Sequence, residues 1–167
     1  MASESSFDVV SKVDRQEVAN AVNQAAKEIN TRFDFRNVGA SVELNGDSLT
    51  LKASSEERCL AVLDVLQTKL VKRGVSLKSV DFGEEATPKA SGKEYRLDGV
   101  LKEGLSQETA KKIAKQIRDE FGKSVKPVIQ GDELRVSSKS RDDLQAVQRA
   151  LKANEDIDAA LQFTNYR

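Results

Sequence analysis

One stretch of this sequence occurs twice. Asn45-Gly46-Asp47-Ser48-Leu49 returns 85 positions later as Gln130-Gly131-Asp132-Glu133-Leu134. At the same offset Ser55 meets Ser140, Ala61 meets Ala146, Val62 meets Val147 and Leu66 meets Leu151. A fixed-offset repeat marks one supersecondary unit used twice, so the fold is expected in two similar halves. With 167 residues, 38% of them hydrophobic, the chain can fill two small cores.

The periodicity of each half is the same. Ser6 to Val13 alternates Phe7, Val9 and Val13 with Asp8 and Lys12, which predicts a half-buried strand with Asp8 on the solvent face. Asp14, with Glu17 three residues on, predicts a capped helix carrying Val18, Val22, Ala25 and Ile29. Ser41 to Leu44 and Ser48 to Ala53 flank Asn45-Gly46-Asp47, a hairpin signal because Asn-Gly tolerates positive φ. A helix with Cys59, Val62, Leu63, Leu66 and Leu70 inward follows, stopped by Lys72-Arg73-Gly74. Val75 to Phe82 reads as a further strand, and the polar stretch Gly83 to Gly92 as a linker. The order then restarts. Glu94 to Lys102 is a strand, and a helix capped by Ser106 carries Ala110, Ile113, Ile117 and Phe121 to its stop at Gly122. Val125 to Ile129 and Glu133 to Ser137 form a hairpin, a Ser140-capped helix bears Leu144, Val147 and Leu151, and Ala160 to Tyr166 closes the set. Two βαββαβ units imply an α+β protein with two four-stranded antiparallel sheets, each covered by two helices on one face.

Chemistry is limited by what is missing. Without histidine there is no imidazole base or ligand, and the single cysteine, Cys59, lies on an apolar stripe. Gly99 to Ser106 has the GxxxxG spacing of a phosphate loop, but Leu105 stands where the lysine belongs. The adjacent acids Glu84-Glu85 and Asp142-Asp143 diverge on a strand or helix, so neither is a metal pair. No cofactor or metal is expected, nor is an enzyme of a common type. Charge is balanced at 27 basic and 27 acidic groups, which opposes a surface built for duplex nucleic acid. No apolar run reaches the roughly 20 residues of a membrane span, and with one cysteine and no export signal the expected location is the cytoplasm. The third strands of the two units hold no aromatic residue for base stacking.

Three segments combine cations with aromatics or turn residues. Arg32-Phe33-Asp34-Phe35-Arg36 follows the first helix, and its rings and guanidinium groups suit a base and a phosphate. Gln130 to Gln145 contains Gln130, Arg135, Lys139 and Arg141 around a hairpin and a helix N-terminus. The ending Phe163-Thr164-Asn165-Tyr166-Arg167 repeats the aromatic-Asn-Arg theme. Each also has a plain structural reading: phenylalanines as core plugs at a helix end, a hairpin plus cap with solvated charges, and a terminal strand filling the core.

With SFDVVSKVD near the start and KRG at Lys72 to Gly74, these segments resemble the YajQ family in order over Phe7 to Arg167. The resemblance implies two ferredoxin-like domains that exchange their N-terminal strands. One domain would then span 14–103, completed by strand 94–102, and the other would join 1–13 to 104–167. It further implies a bacterial, non-enzymatic nucleotide-binding protein whose relatives include cyclic di-GMP receptors that influence transcription. The candidate nucleotide-binding residues are Arg32, Phe33, Phe35, Arg36, Gln130, Arg135, Lys139, Arg141, Phe163, Asn165 and Arg167. A guanine nucleotide (cyclic di-GMP or GTP) and a transcription-factor partner are the expected partners. Two other readings stay open: a single-stranded RNA or DNA binder using the open sheet faces, and a protein-interaction scaffold.

Overall fold

A computed structural model describes residues 3–83 and 85–167; Met1, Ala2 and Glu84 lie outside the described residues, and with Glu84 one member of the Glu84-Glu85 pair. The elements run β1 (Ser5–Val10), α1 (Arg15–Thr31), β2 (Ser41–Asn45), β3 (Ser48–Ala53), α2 (Glu56–Lys72), β4 (Val80–Asp81), β5 (Lys89–Ser91), β6 (Glu94–Leu101), α3 (Gln107–Phe121), β7 (Val125–Gln130), β8 (Glu133–Ser138), α4 (Arg141–Ala153) and β9 (Gln162–Thr164). Each helix starts where a small polar side chain takes up orphan amides. Asp14 accepts from Gln16 and Glu17 N–H, Ser55 from Arg58, Ser106 from Thr109 and Ser140 from Asp143. Glu17 does not reach back as in a capping box. It pairs with Arg73 at 3.0 Å.

The strands form two antiparallel sheets, ordered β7-β8-β1-β9 and β2-β3-β6-β4, with β5 also pairing β6. The chain separates into two compact units: the described residues up to Lys12 together with Glu103–Arg167, and Val13–Lys102. In the first unit Phe7, Val9, Leu134 and Val136 pack with Ile113, Ile117, Leu144, Val147 and Leu151 of α3 and α4. In the second, Leu49, Leu51 and Leu97 pack with Val18, Val22, Ile29, Val62, Leu66 and Leu70 of α1 and α2. Alternation thus turns one face of each sheet to its helices.

The turns explain the repeat. Asn45 pairs with Ser48 and Gln130 with Glu133, so the turn residues are Gly46-Asp47 and Gly131-Asp132. Positive φ falls on the glycines alone, +61° and +60°, the pattern of a type II′ turn; Asn45 ends its strand and takes no central turn position.

Four further expectations are corrected. Val75 to Phe82 is mostly not strand: Ser76 caps a 3-10 turn at Leu77–Ser79, leaving the two residues of β4. The linker 83–92 contains β5, joined to β6 by a third hairpin around Gly92-Lys93 with φ +63° at Gly92. The closing strand is three residues long because Asn165 adopts φ +57°, which breaks extended pairing. Asp8 is buried at 6% exposure, held by partners described below.

Candidate functional site

A pocket of about 400 Å³ opens in the first unit, lined by Ser5, Ser6 and Phe7 of β1, Arg141, Leu144, Gln145 and Gln148 of α4, and Tyr166 and Arg167 after β9. The helical contribution follows from spacing: positions i, i+3, i+4 and i+7 share one face, and the Ser140 cap puts Arg141 at its first residue. Leu144 sinks into the core, and the longer polar side chains border the opening.

The tail is held at three points. Asn165 Nδ2 donates to Asp8 Oδ2 at 2.7 Å. Ser6 and Arg167 exchange both backbone hydrogen bonds, at 3.1 and 3.0 Å. Gln148 Nε2 donates to the Tyr166 hydroxyl at 3.2 Å. The Tyr166 ring lies 6.2 Å from Phe7 yet stays 65% exposed, an aromatic surface with one side free. Neither the Arg141 nor the Arg167 guanidinium makes an ion pair or hydrogen bond with another described residue. Two guanidinium groups with no ion-pair or hydrogen-bond partner among the described residues, an exposed ring, two amides and two hydroxyls around a cavity of ligand size can take up a flat, anionic organic molecule.

Behind the tail, Asp8 Oδ1 accepts from Arg135 Nε at 3.1 Å. Burial pushes the Asp8 carboxyl up, but the Asn165 amide and the Arg135 guanidinium, with Arg167 farther off, outweigh it and hold the group below its ordinary value. At Cys59 burial pushes the thiol up, a backbone hydrogen bond at Leu97 offsets only part of this, and the side chain is fully enclosed, so it is an inert core group.

The sequence-derived candidates separate. Arg141 and Arg167 line the pocket. Asn165 anchors the tail, and Arg135 backs Asp8 on the sheet face turned away from α3 and α4. Phe163 packs edge-on against Phe7 at 5.4 Å, with Lys152 5.4 Å from its ring. Gln130 is exposed at the end of β7, and Lys139 lines a different pocket. Arg32, Phe33, Phe35 and Arg36 belong to the second unit. There Phe35 is buried, and Arg32 lies 4.9 Å over its ring while bonded to Asp34 at 2.7 Å and Glu28 at 3.2 Å. Phe33 is 83% exposed, with Arg36 5.7 Å from its ring.

Sequence reasoning did not single out Ser5, Ser6, Gln145, Gln148 or Tyr166 as site residues. The available signal was the i, i+3, i+4, i+7 run from Arg141 to Gln148, in which three of four members are polar. Register also places Phe7, Tyr95 and Phe163 on the helix-covered faces, so no described strand offers an aromatic ring on an open sheet face. Among the described residues there is no cluster of three or more metal-ligating side chains, and no helix is long and apolar enough to cross a membrane.

The family model described as nucleotide-binding protein YajQ-like matches residues 5–167. The chain belongs to the YajQ-like family. Its relatives include a protein of Streptomyces avermitilis, 63% identical over 98% of this chain and 99% of the relative, and one of Thermobifida fusca, 63% identical over the whole of both. A Rhodococcus erythropolis protein is 62% identical over 98% and 99%. All three bear the name nucleotide-binding protein. Since the match spans almost the whole length, both compact units are included in the YajQ-like relationship.

Proposed function

We propose that this YajQ-like protein is a non-enzymatic receptor for a guanine nucleotide, cyclic di-GMP being the leading ligand and GTP the second, bound in the Arg141–Arg167 pocket. The observation that carries the proposal is the convergence of Arg141, Gln145, Gln148, Tyr166 and Arg167 on one cavity of about 400 Å³. The relatives' shared name supports the class of ligand. Arg141 and Arg167 neutralise phosphate oxygens, the free side of the Tyr166 ring stacks the base, and the two glutamine amides offer the donors and acceptors that guanine's edge needs.

The signal passes through the tail. A ligand that engages Tyr166 and Arg167 favours the tail conformation in which Asn165 holds Asp8, and Asp8 in turn holds Arg135 on the open face. A transcription partner that reads this face would sense occupancy. We also read the two units as ferredoxin-like domains that have exchanged first strands: β1 stands between β8 and β9 as β6 stands between β3 and β4.

Isothermal titration with cyclic di-GMP, GTP and a short single-stranded RNA tests the receptor. Saturable binding of a guanine nucleotide is expected, weakened about ten-fold or more in Arg141→Ala and in Tyr166→Ala. Salt-sensitive RNA binding without nucleotide binding would replace the proposal with a nucleic-acid protein, and no heat from any of the three would leave a scaffold.

A further inference from the structure

We infer that the first unit carries a second ligand site, an acceptor for condensed phosphoryl groups, in a separate pocket of about 390 Å³ lined by Glu4, Lys123, Ser124, Lys126, Ser137, Ser138, Lys139 and Ser140. Three ammonium groups face one carboxylate, and that carboxylate, Glu4, is engaged with Lys126 at 3.5 Å. Lys123, Ser137 and Lys139 make no side-chain ion pair or hydrogen bond with another described residue, so two charges and a hydroxyl are uncommitted.

The frame around them is fixed. Ser138 is buried; its hydroxyl donates to the Ser124 carbonyl at 2.6 Å and accepts from the Ser140 amide at 3.0 Å. That pair of bonds ties the turn before β7 to the turn before α4 and sets the spacing of Lys123 and Lys139 across the pocket. The Ser140 and Asp143 amides are already bonded to serine hydroxyls and are not available to an anion here.

The lining selects the ligand. It offers no aromatic or aliphatic side chain for a base, which separates it from the pocket of Tyr166. Lysines act as point charges around a compact, multiply charged tetrahedral anion, whereas a planar carboxylate is better served by an arginine fork. Hydroxyls complete the donor set. The volume exceeds the need of a single phosphate, so a diphosphate group is the fitting probe. Its source is either inorganic or the pyrophosphate end of a nucleotide.

Titration of the full chain with inorganic pyrophosphate, and in parallel with GDP and GMP, tests the site. One pyrophosphate per chain is expected, with affinity falling as ionic strength rises. The variant Lys123→Gln/Lys139→Gln should bind pyrophosphate about ten-fold more weakly. Lys111→Gln/Lys115→Gln makes the same charge change on the exposed side of α3 and should bind like the parent. If GDP binds more tightly than pyrophosphate and is weakened both by Tyr166→Ala and by Lys123→Gln/Lys139→Gln, while GMP is weakened by Tyr166→Ala alone, the source is the pyrophosphate end of a nucleotide; GDP binding that the lysine variant leaves unchanged assigns the site to a free phosphoanion. Absence of pyrophosphate binding, or equal loss in both double variants, overturns the inference. Because Lys123→Gln/Lys139→Gln leaves Arg141, Tyr166 and Arg167 in place, loss of pyrophosphate in that variant is independent of whether the Arg141–Arg167 pocket takes a nucleotide.

Discussion

Asp8 is a carboxylate in the middle strand of a sheet, at a position where its neighbours Phe7 and Val9 face the core. Alternation predicts it exposed, yet Arg135 and Asn165 close over it and its carboxyl titrates below the ordinary 3.8. A depressed folded-state value means that the stability it contributes is fully present above the unfolded value and is lost as pH falls through the folded one. The urea midpoint should therefore stay level from neutrality into mild acid and fall below about pH 4, with a shallower acid limb in Asp8→Asn. At neutral pH, Asp8→Ala should cost about 1–3 kcal/mol, since it leaves the Arg135 and Asn165 donors without their acceptor. An unchanged acid limb in Asp8→Asn would assign the limb to other carboxylates, Glu28, Asp34 and Asp47 among them, which basic neighbours also hold low.

At the scale of elements, the segment Arg32 to Arg36 shows how a motif divides its labour. A 3-10 turn at Phe33–Phe35 sends one ring into the core and the other outward. Phe35→Ala should destabilise by about 3–5 kcal/mol, whereas Phe33→Ala should cost less than about 1 kcal/mol, both by urea unfolding. Similar costs for the two would mean that Phe33 is covered in solution. Much of this scale was legible in the sequence. The caps Asp14, Ser106 and Ser140 and the stripes of all four helices follow from spacing, because helix periodicity and capping are local; for α2 the adjacent Ser54 and Ser55 both fit, and the structure uses Ser55. The two hairpins around Gly46 and Gly131 were equally plain, although the Asn-Gly signal named Asn45 where the central pair is Gly46-Asp47. The third turn at Gly92-Lys93 was hidden because β5 is exposed along its length and carries no alternation to read. The pocket was half legible: Arg141 and Arg167 stood out as cations, but Tyr166 meets Gln148 only through tertiary structure, and no local pattern reports a left-handed Asn165.

At the scale of the molecule, the two sheets share one strand order once β1 and β6 are counted as the first strands of their sheets. If the halves are domains that exchanged those strands, a chain beginning at Ser11 removes the strand between β8 and β9 and leaves the core of Val13–Lys102 intact. Hydrogen exchange should then show lost protection in α3 and α4 with α1 and α2 still protected; the opposite distribution would refute the exchange. The same pairing has a consequence for synthesis. Phe7 and Val9 leave the ribosome well over a hundred residues ahead of their partners Val136 and Leu134. Residues 13–102 can close their own core in the meantime. β1 waits longest of the described strands for its neighbours, an apolar ribbon with both edges open until the hairpin of β7 and β8 arrives, and it is during that interval that a nascent chain of this kind most needs shielding from its own copies.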